Sequence, residues 1–169
     1  MARITPATQA LDRAGVAFTV VSYDYAPGAD RIGLQAADAL GVDPHCVVKT
    51  LMARVDGKPV CVMLSSAAEV SMKMLAAAIG GKSAEMMPPA DAERLTGYRI
   101  GGISPFGQLR KVPAIIDRQV LDQPRIYLNA GQRGLQLLVH PGDAVHALGA
   151  IVADLRHAPR HRAPGEGTP

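Results

Sequence analysis

Apolar positions along this chain come in short bursts. Some recur three or four residues apart and others are adjacent or alternating, so the sequence predicts many brief elements rather than a few long ones. Behind Thr5-Pro6, Ala7, Ala10, Leu11 and Ala14 keep helical spacing, with Thr5 placed to cap that helix, Pro6 to open it and Gly15 to stop it. Residues 16–23 (VAFTVVSY) are rich in β-branched and aromatic side chains, which predicts a strand, and residues 24–30, with Pro27-Gly28, predict a loop. Leu34, Ala37 and Leu40 predict a helix ending at Gly41. Residues 46–55 (CVVKTLMARV) and 58–64 flank Asp56-Gly57, a pair that favours a two-residue hairpin turn. Ser71 is placed to cap a helix with Met72, Leu75 and Ile79 on one face, stopped by Gly80-Gly81. Residues 82–87 predict a short strand, and Pro88-Pro89 open a helix through Leu95 that closes at Gly97. Residues 112–117 (VPAIID), 125–128 (RIYL) and 134–139 (GLQLLV) predict strands, Pro141-Gly142-Asp143 opens a helix through Leu148, and residues 150–155 predict a final strand.

Hairpins and short strands interrupted by short helices lack the steady strand–helix alternation of a doubly wound sheet. The expected fold class is therefore α/β in the mixed α+β sense: one domain over residues 1–155, with a curved mixed sheet or partly closed barrel and helices around it. Residues 156–169, rich in Pro, Gly and Arg, are expected to form a disordered basic tail. No internal repeat and no second domain is visible.

Composition narrows the function. The 169 residues are 48% hydrophobic and 20% charged, as in an ordinary globular domain. With no Trp, two Phe and four Tyr, a base-stacking platform for single strands is not expected. Two cysteines without a CxxC spacing point away from a disulfide scaffold or zinc site and toward a reducing cytoplasm. The N-terminus lacks the apolar run of a signal peptide, and no stretch approaches the roughly 20 apolar residues of a membrane helix. The net charge of +3 is unevenly placed: Arg99, Arg110, Lys111, Arg118, Arg125 and Arg133 crowd the region around residues 97–134 against Asp117 and Asp122. Such a region suits an anionic ligand such as a nucleic-acid end, although charge alone favours a solvated surface of uneven charge.

At the centre of that region, Gly101-Gly102-Ile103-Ser104-Pro105-Phe106-Gly107 gathers three glycines and a proline. Glycine lets a ligand approach bare backbone, and proline stiffens the loop that presents it. The segment is not a nucleophile elbow, because Phe106 stands where a small residue is required and Pro105 blocks the helix that should follow. No phosphate-loop or dinucleotide fingerprint is present, and His45, His140, His146, His157 and His161 form no ligand pair around a carboxylate. Lys49, in the apolar strand Val47-Val48-Lys49-Thr50-Leu51-Met52, is either a lysine reaching out to solvent or a cation held in a pocket for an anionic or carbonyl oxygen. Asn129-Ala130-Gly131-Gln132-Arg133-Gly134 reads as a plain turn on its own, and Cys46 and Cys61 as small buried hydrophobes.

Taken in register, Val48-Lys49-Thr50-Leu51, then Gly97-Tyr98 with Gly101-Gly102-Ile103-Ser104-Pro105, then Ile126-Tyr127-Leu128-Asn129-Ala130-Gly131-Gln132-Arg133-Gly134-Leu135 resemble the YbaK/prolyl-tRNA synthetase insertion-domain superfamily. The chain is most similar to its free-standing Cys-tRNA(Pro) deacylases over roughly residues 5–155. The resemblance implies a mixed α/β fold and a trans-editing enzyme that hydrolyses the ester of mischarged Cys-tRNA(Pro), or also Cys-tRNA(Cys). An Ala-tRNA(Pro) deacylase and a non-catalytic aminoacyl-tRNA or nucleotide-binding module are the alternatives. It implies Lys49 as the essential lysine at the aminoacyl-adenosine end, Gly101 and Gly102 as backbone donors to the substrate carbonyl, and Ser104 and Pro105 as residues that shape that loop. Tyr23, Thr50, Gly131 and Asp143 are implied to line the pocket. Where the family carries Ser-Gly-Gly, this chain has Asn129-Ala130-Gly131, which is expected to narrow the pocket or change its polarity. The chemistry implied is substrate-assisted, with the cysteinyl thiol attacking its own carbonyl. The implied partners are the mischarged tRNA(Pro) acceptor end and prolyl-tRNA synthetase, in the cytoplasm, with no cofactor, no membrane and no DNA.

Overall fold

The protein was described from a computed structural model covering residues 4–24 and 32–157. Helix α1 (Pro6–Ala14) starts as its sequence dictates: the Thr5 hydroxyl accepts from Thr8 N–H at 3.1 Å, and the Thr8 hydroxyl returns the favour to Thr5 N–H at 2.8 Å. Strand β1 (Thr19–Ser22) is shorter than residues 16–23 predict. Most of the expected loop at residues 24–30 lies outside the described residues. Helix α2 (Ile32–Leu40) leads to a single 3-10 turn (Pro44–Cys46), which takes the first residue of the expected second strand. Strands β2 (Val48–Val55) and β3 (Lys58–Ser65) form the hairpin around Asp56-Gly57. Then come α3 (Met72–Ala78), β4 (Ala84–Met86) and α4 (Pro89–Thr96). After the glycine loop follow β5 (Ala114–Asp117), a 3-10 turn (Arg118–Asp122), β6 (Ile126–Asn129), β7 (Leu135–Val139), α5 (Pro141–Leu148) and β8 (Ile151–Ala153).

The strands divide between two sheets. The larger has the order β4-β2-β3-β5-β8, antiparallel among its first three strands and parallel from β3 through β5 to β8. The smaller, β1-β7-β6, is antiparallel throughout. A single parallel bridge between Val47 and Tyr127 joins them, so the architecture is a pair of sheets joined along one seam rather than a closed barrel.

Side-chain alternation along each strand sorts the core into layers. Val48, Met52 and Met63 from the large sheet meet Ile126, Leu128, Leu135, Leu137 and Val139 from the small one in the main core. Ala53, Val55, Val60, Val62 and Ile115, on the opposite face, pack with Leu75 and Ala76 of α3. The outer face of the small sheet is covered by α2, where Ala36 and Ala37 meet Val47, with Tyr23 and Tyr127 packed alongside. By the same parity Lys49 leaves the main core, on the side of β2 shared with Val47, while Thr50 turns inward.

Candidate functional site

The glycine loop is held from within and from one side. Tyr98 Oη donates to the Phe106 carbonyl at 2.5 Å, Phe106 N–H donates to Ser104 Oγ at 3.2 Å, and Gln108 Nε2 donates to the Ser104 carbonyl at 3.0 Å. Burial of its phenol, caged in this way, pushes the Tyr98 pKa up to about 12. Ser104 is 0% exposed with its hydroxyl engaged in the loop, and Pro105 beside it is buried, so this serine shapes the loop and is not presented as a nucleophile.

From the side, the turn after β6 clamps the loop. Asn129 Nδ2 donates to the Gly101 carbonyl at 3.0 Å while its Oδ1 accepts from Gly131 N–H at 2.8 Å. Arg133 Nε and Nη2 both donate to the Ile100 carbonyl, at 2.9 and 2.7 Å. Two glycines make this approach feasible. A Cβ on Gly102 would sit 3.3 Å from the Arg133 nitrogen and the Gln132 Cα, and one on Gly131, whose φ is +97°, would sit 2.6 Å from Tyr98 Cε1. Gly131→Ala is therefore expected to cost about 2 kcal/mol or more, from the left-handed backbone together with the overlap; urea denaturation measures it.

Three expectations for this region change. Gly102 N–H donates to the Arg99 carbonyl at 2.8 Å, so it closes a turn and is not offered to a ligand, whereas Gly101 N–H makes no hydrogen bond among the described residues. Asn129 spends one end of its amide on the glycine loop and the other on its own turn, so it positions backbone instead of adding polarity to the pocket. Ala130 is 0% exposed and its methyl belongs to the main core, with its carbonyl accepting from Thr5 Oγ1 at 2.6 Å. It narrows no pocket wall.

Lys49 stands beside this assembly. Val47 is level with Tyr127 across the seam and the two strands run parallel, so Lys49, two residues on, comes alongside Asn129 and its cross-strand neighbour Gln136. Lys49 Nζ donates to the Ala68 carbonyl at 2.5 Å. Tyr23 extends β1 by donating its N–H to the Gly134 carbonyl at 2.9 Å, which brings it to the same end of the small sheet. Asp143 does not join them. It lies exposed in the first turn of α5, past Val139, which is three residues or ~10 Å along β7 from Gln136.

Four buried side-chain oxygens in the structure take no partner among the described residues: Gln35 Oε1, Thr50 Oγ1, Ser66 Oγ and Gln136 Oε1. Leaving a buried polar atom unpaired costs about 1–3 kcal/mol, so such atoms are few in native proteins and collect where a ligand completes them. Gln136, only 4% exposed, sits directly across from Asn129. Its signal in the sequence is a lone amide inside the apolar run 134–139, of which Leu135, Gln136, Leu137 and Val139 are buried.

Neither cysteine is an activated nucleophile. Burial drives the Cys61 thiol up to about 12. Burial, reinforced by the Asp43 carboxylate, also raises Cys46, whose Sγ donates to the Asp43 carbonyl at 2.9 Å. Raised pKa values leave both as thiols at neutral pH. In native protein at pH 7.5, Ellman's reagent is expected to leave Cys61 untouched and to reach Cys46 slowly, with both thiols titrating after unfolding. Rapid native labelling of Cys61 would contradict the packing described.

Of the basic residues, Arg133 is committed to the loop and Arg118 reaches Asp154 at 3.4 Å. Arg99, Arg110, Lys111 and Arg125 are exposed and make no ion pair among the described residues. None of the described helices is long and apolar enough to cross a membrane.

On this two-sheet α+β fold Lys49 comes alongside the turn that clamps the glycine loop, with the unpaired Gln136 oxygen across from that turn. Comparison with known proteins makes the class specific: residues 26–147 match the family model of the aminoacyl-tRNA editing domain, and the chain belongs to that family. It is thereby an editing enzyme of the deacylase class. Among relatives, EbsC of Enterococcus faecalis, described as a candidate Cys-tRNA(Pro)/Cys-tRNA(Cys) deacylase, is 33% identical over 122 residues, covering 70% of this chain and 74% of its own. The multifunctional Ser/Thr-tRNA deacylase ProXp-y of Escherichia coli K12 is 25% identical over 134 residues, covering 79% and 80% of the two chains. A crystal structure described as a candidate trans-editing enzyme for prolyl-tRNA synthetase superposes with a TM-score of 0.80 at 25% identity, covering 92% of this chain and all of the other.

Proposed function

We propose that this protein hydrolyses mischarged Cys-tRNA(Pro) in trans, using the substrate's own thiol as nucleophile. The observation that carries the proposal is that Lys49 comes alongside the Asn129 that holds the Gly101 carbonyl, with the unpaired buried Gln136 oxygen across from it, in a chain whose Ser104, Cys46 and Cys61 are all unsuited to attack. Lys49 and Gly101 N–H supply donors for oxygens of the aminoacyl-adenosine end, where negative charge develops as the carbonyl carbon becomes tetrahedral. Gln136 Oε1 supplies an acceptor for the α-ammonium or ribose hydroxyl. The cysteinyl sulfur forms a bond to its own carbonyl carbon, the ester C–O bond breaks, and the thiol proton ends on the ribose oxygen, freeing tRNA and a thiolactone that water opens. The protein contributes orientation and charge stabilisation.

The resemblance in sequence and the description of EbsC as a candidate Cys-tRNA(Pro)/Cys-tRNA(Cys) deacylase support this substrate. A deacylation assay with Cys-, Ala- and Ser-charged tRNA(Pro) tests it. The cysteinyl ester is expected to be cleaved at least tenfold faster than the other two; equal rates would remove the thiol's role, and no cleavage of any would remove the activity. We further propose association with prolyl-tRNA synthetase, checked by raised specificity for tRNA(Pro) when the synthetase is added.

The orphaned Gln136 gives a distinctive expectation. Gln136→Leu removes a buried unsatisfied acceptor, so the folded state should be as stable as the wild type or more so. The deacylation kcat/KM should nonetheless fall about tenfold, equivalent to the loss of one hydrogen bond near 1.4 kcal/mol. Parallel thermal melts and kinetics check the two halves.

A further inference from the structure

The carbonyl that receives Lys49 belongs to Ala68, in the crossing from β3 to α3, a stretch without regular structure of its own. At its start it is tied to the end of β3, with Ala68 N–H donating to the Ser65 carbonyl at 3.0 Å and Ala67 N–H to Ser65 Oγ at 3.1 Å. Its other end is held from far along the chain. Ser71 N–H donates to the Leu155 carbonyl at 2.7 Å, Val70 forms an antiparallel bridge with Arg156, and His157 N–H donates to the Glu69 carbonyl at 3.2 Å. Residues 69–71 and 155–157 thus lie against each other as two short extended runs.

Residues 155–157 are fixed in turn by Asp117, the last residue of β5. Its Oδ1 accepts from Leu155 N–H at 3.0 Å, and its Oδ2 accepts from Arg156 Nε at 2.9 Å and Nη2 at 2.8 Å. Asp117 is 1% exposed and the Arg156 side chain 19%. A buried ion pair is an inefficient source of stability, since apolar residues of the same volume often do as well. What a guanidinium fork on a carboxylate adds is geometry: it fixes where residue 156 sits along Asp117, and hence where the paired residues 69–71 sit.

We propose that the Asp117–Arg156 pair is a positioning device for Lys49, acting through residues 69–71 and the Ala68 carbonyl to fix the ammonium at the acyl end of the substrate. Arg156 touches no part of the glycine loop in the structure, so it is a positioning residue and not a catalytic one. The activity arm of this inference rests on the deacylase reading above; the geometric arm does not.

Arg156→Gln tests it, because Arg156 is partly exposed and its replacement leaves the apolar core intact. The expected result is a kcat for Cys-tRNA(Pro) deacylation lowered about tenfold with KM within twofold, and recovery of most of that loss in Arg156→Lys. Independently of activity, the 15N-detected Lys49 ammonium resonance, assigned by its loss in Lys49→Arg, is expected to shift or broaden in Arg156→Gln and to return toward its wild-type position in Arg156→Lys. Kinetics are normalised to the folded fraction measured by circular dichroism. An unshifted Lys49 resonance in folded Arg156→Gln, or a kcat equal to wild type in that variant, overturns the proposal. Should Arg156→Gln fail to fold, Asp117→Asn, which keeps the acceptor for Leu155 N–H and removes the charge that orients the guanidinium, decides instead: a shifted Lys49 resonance in that folded variant supports the device, and an unshifted one overturns it. Absence of any deacylation by the wild type would defeat the activity reading while the resonance still decides the positioning role.

Discussion

Lys49→Ala is expected to lower kcat/KM for Cys-tRNA(Pro) by at least ~100-fold, the scale seen when one donor to a developing oxyanion is removed. The protein itself should remain folded. Lys49 is only partly buried, its neighbours Val47, Val48 and Met52 hold the strand through apolar packing, and the backbone ladder between β2 and β3 does not involve its side chain. The variant loses the bond to the Ala68 carbonyl, a cost of about 1–3 kcal/mol. The measurement is therefore a rate on aminoacylated tRNA beside a melting curve on the same preparation. A folded variant with wild-type rate would remove Lys49 from the reaction and leave the glycine loop without its cation.

The largest expected effect on stability is at Asp117. Asp117→Ala strands the Arg156 guanidinium, which is four-fifths buried, and removes the acceptor of Leu155 N–H in a layer where Leu155 is 0% exposed. Breaking one side of such a pair costs about 3–5 kcal/mol, against net stabilities of about 5–15 kcal/mol for whole domains. Asp117→Asn, which keeps an acceptor for Leu155 N–H and loses only the charge, should cost less than half as much. Chemical denaturation of the two variants side by side checks the order; equal losses would mean that the ion pair, and not the backbone bond, carries the effect.

How far the sequence reaches can be judged from these same residues. Elements whose signals are local were readable: the Thr5 cap, the Asp56-Gly57 hairpin, the helix opened at Pro141 and the glycine loop all follow from side-chain chemistry within a few residues. Lys49 was readable too, because an ammonium in an apolar strand needs a reason. The division into two sheets was not, since it depends on which strands pair, and the parallel joins of β3 to β5 and β5 to β8 leave no mark on local pattern. Gln35, Ser66 and Gln136 escaped notice because their distinguishing property, burial without a partner, arises only when distant segments pack. Arg156 and His157 were assigned to a disordered tail on the composition of the last 14 residues, yet the first two of them are paired with Val70, Asp117 and Glu69. Composition averages over a segment, and here two residues at its edge behave differently from the average. The remaining tail, 158–169, lies outside the described residues.

Two of the contacts that brace the active region join segments distant in the chain. The Thr5 hydroxyl that caps α1 also reaches the Ala130 carbonyl, 125 positions away, and residues 155–157 hold residues 69–71. Contacts of such long sequence separation close late in folding, because the intervening loops must be ordered first. During synthesis from the N-terminus, the lysine, the glycine loop and the turn that clamps it would all have emerged before the segment bearing Arg156. A ribosome-bound chain stopped short of that point would hold every residue of the proposed chemistry without the brace behind Lys49. The deacylation rate should then rise by about tenfold as residues 155–157 join the folded chain, instead of growing evenly with chain length.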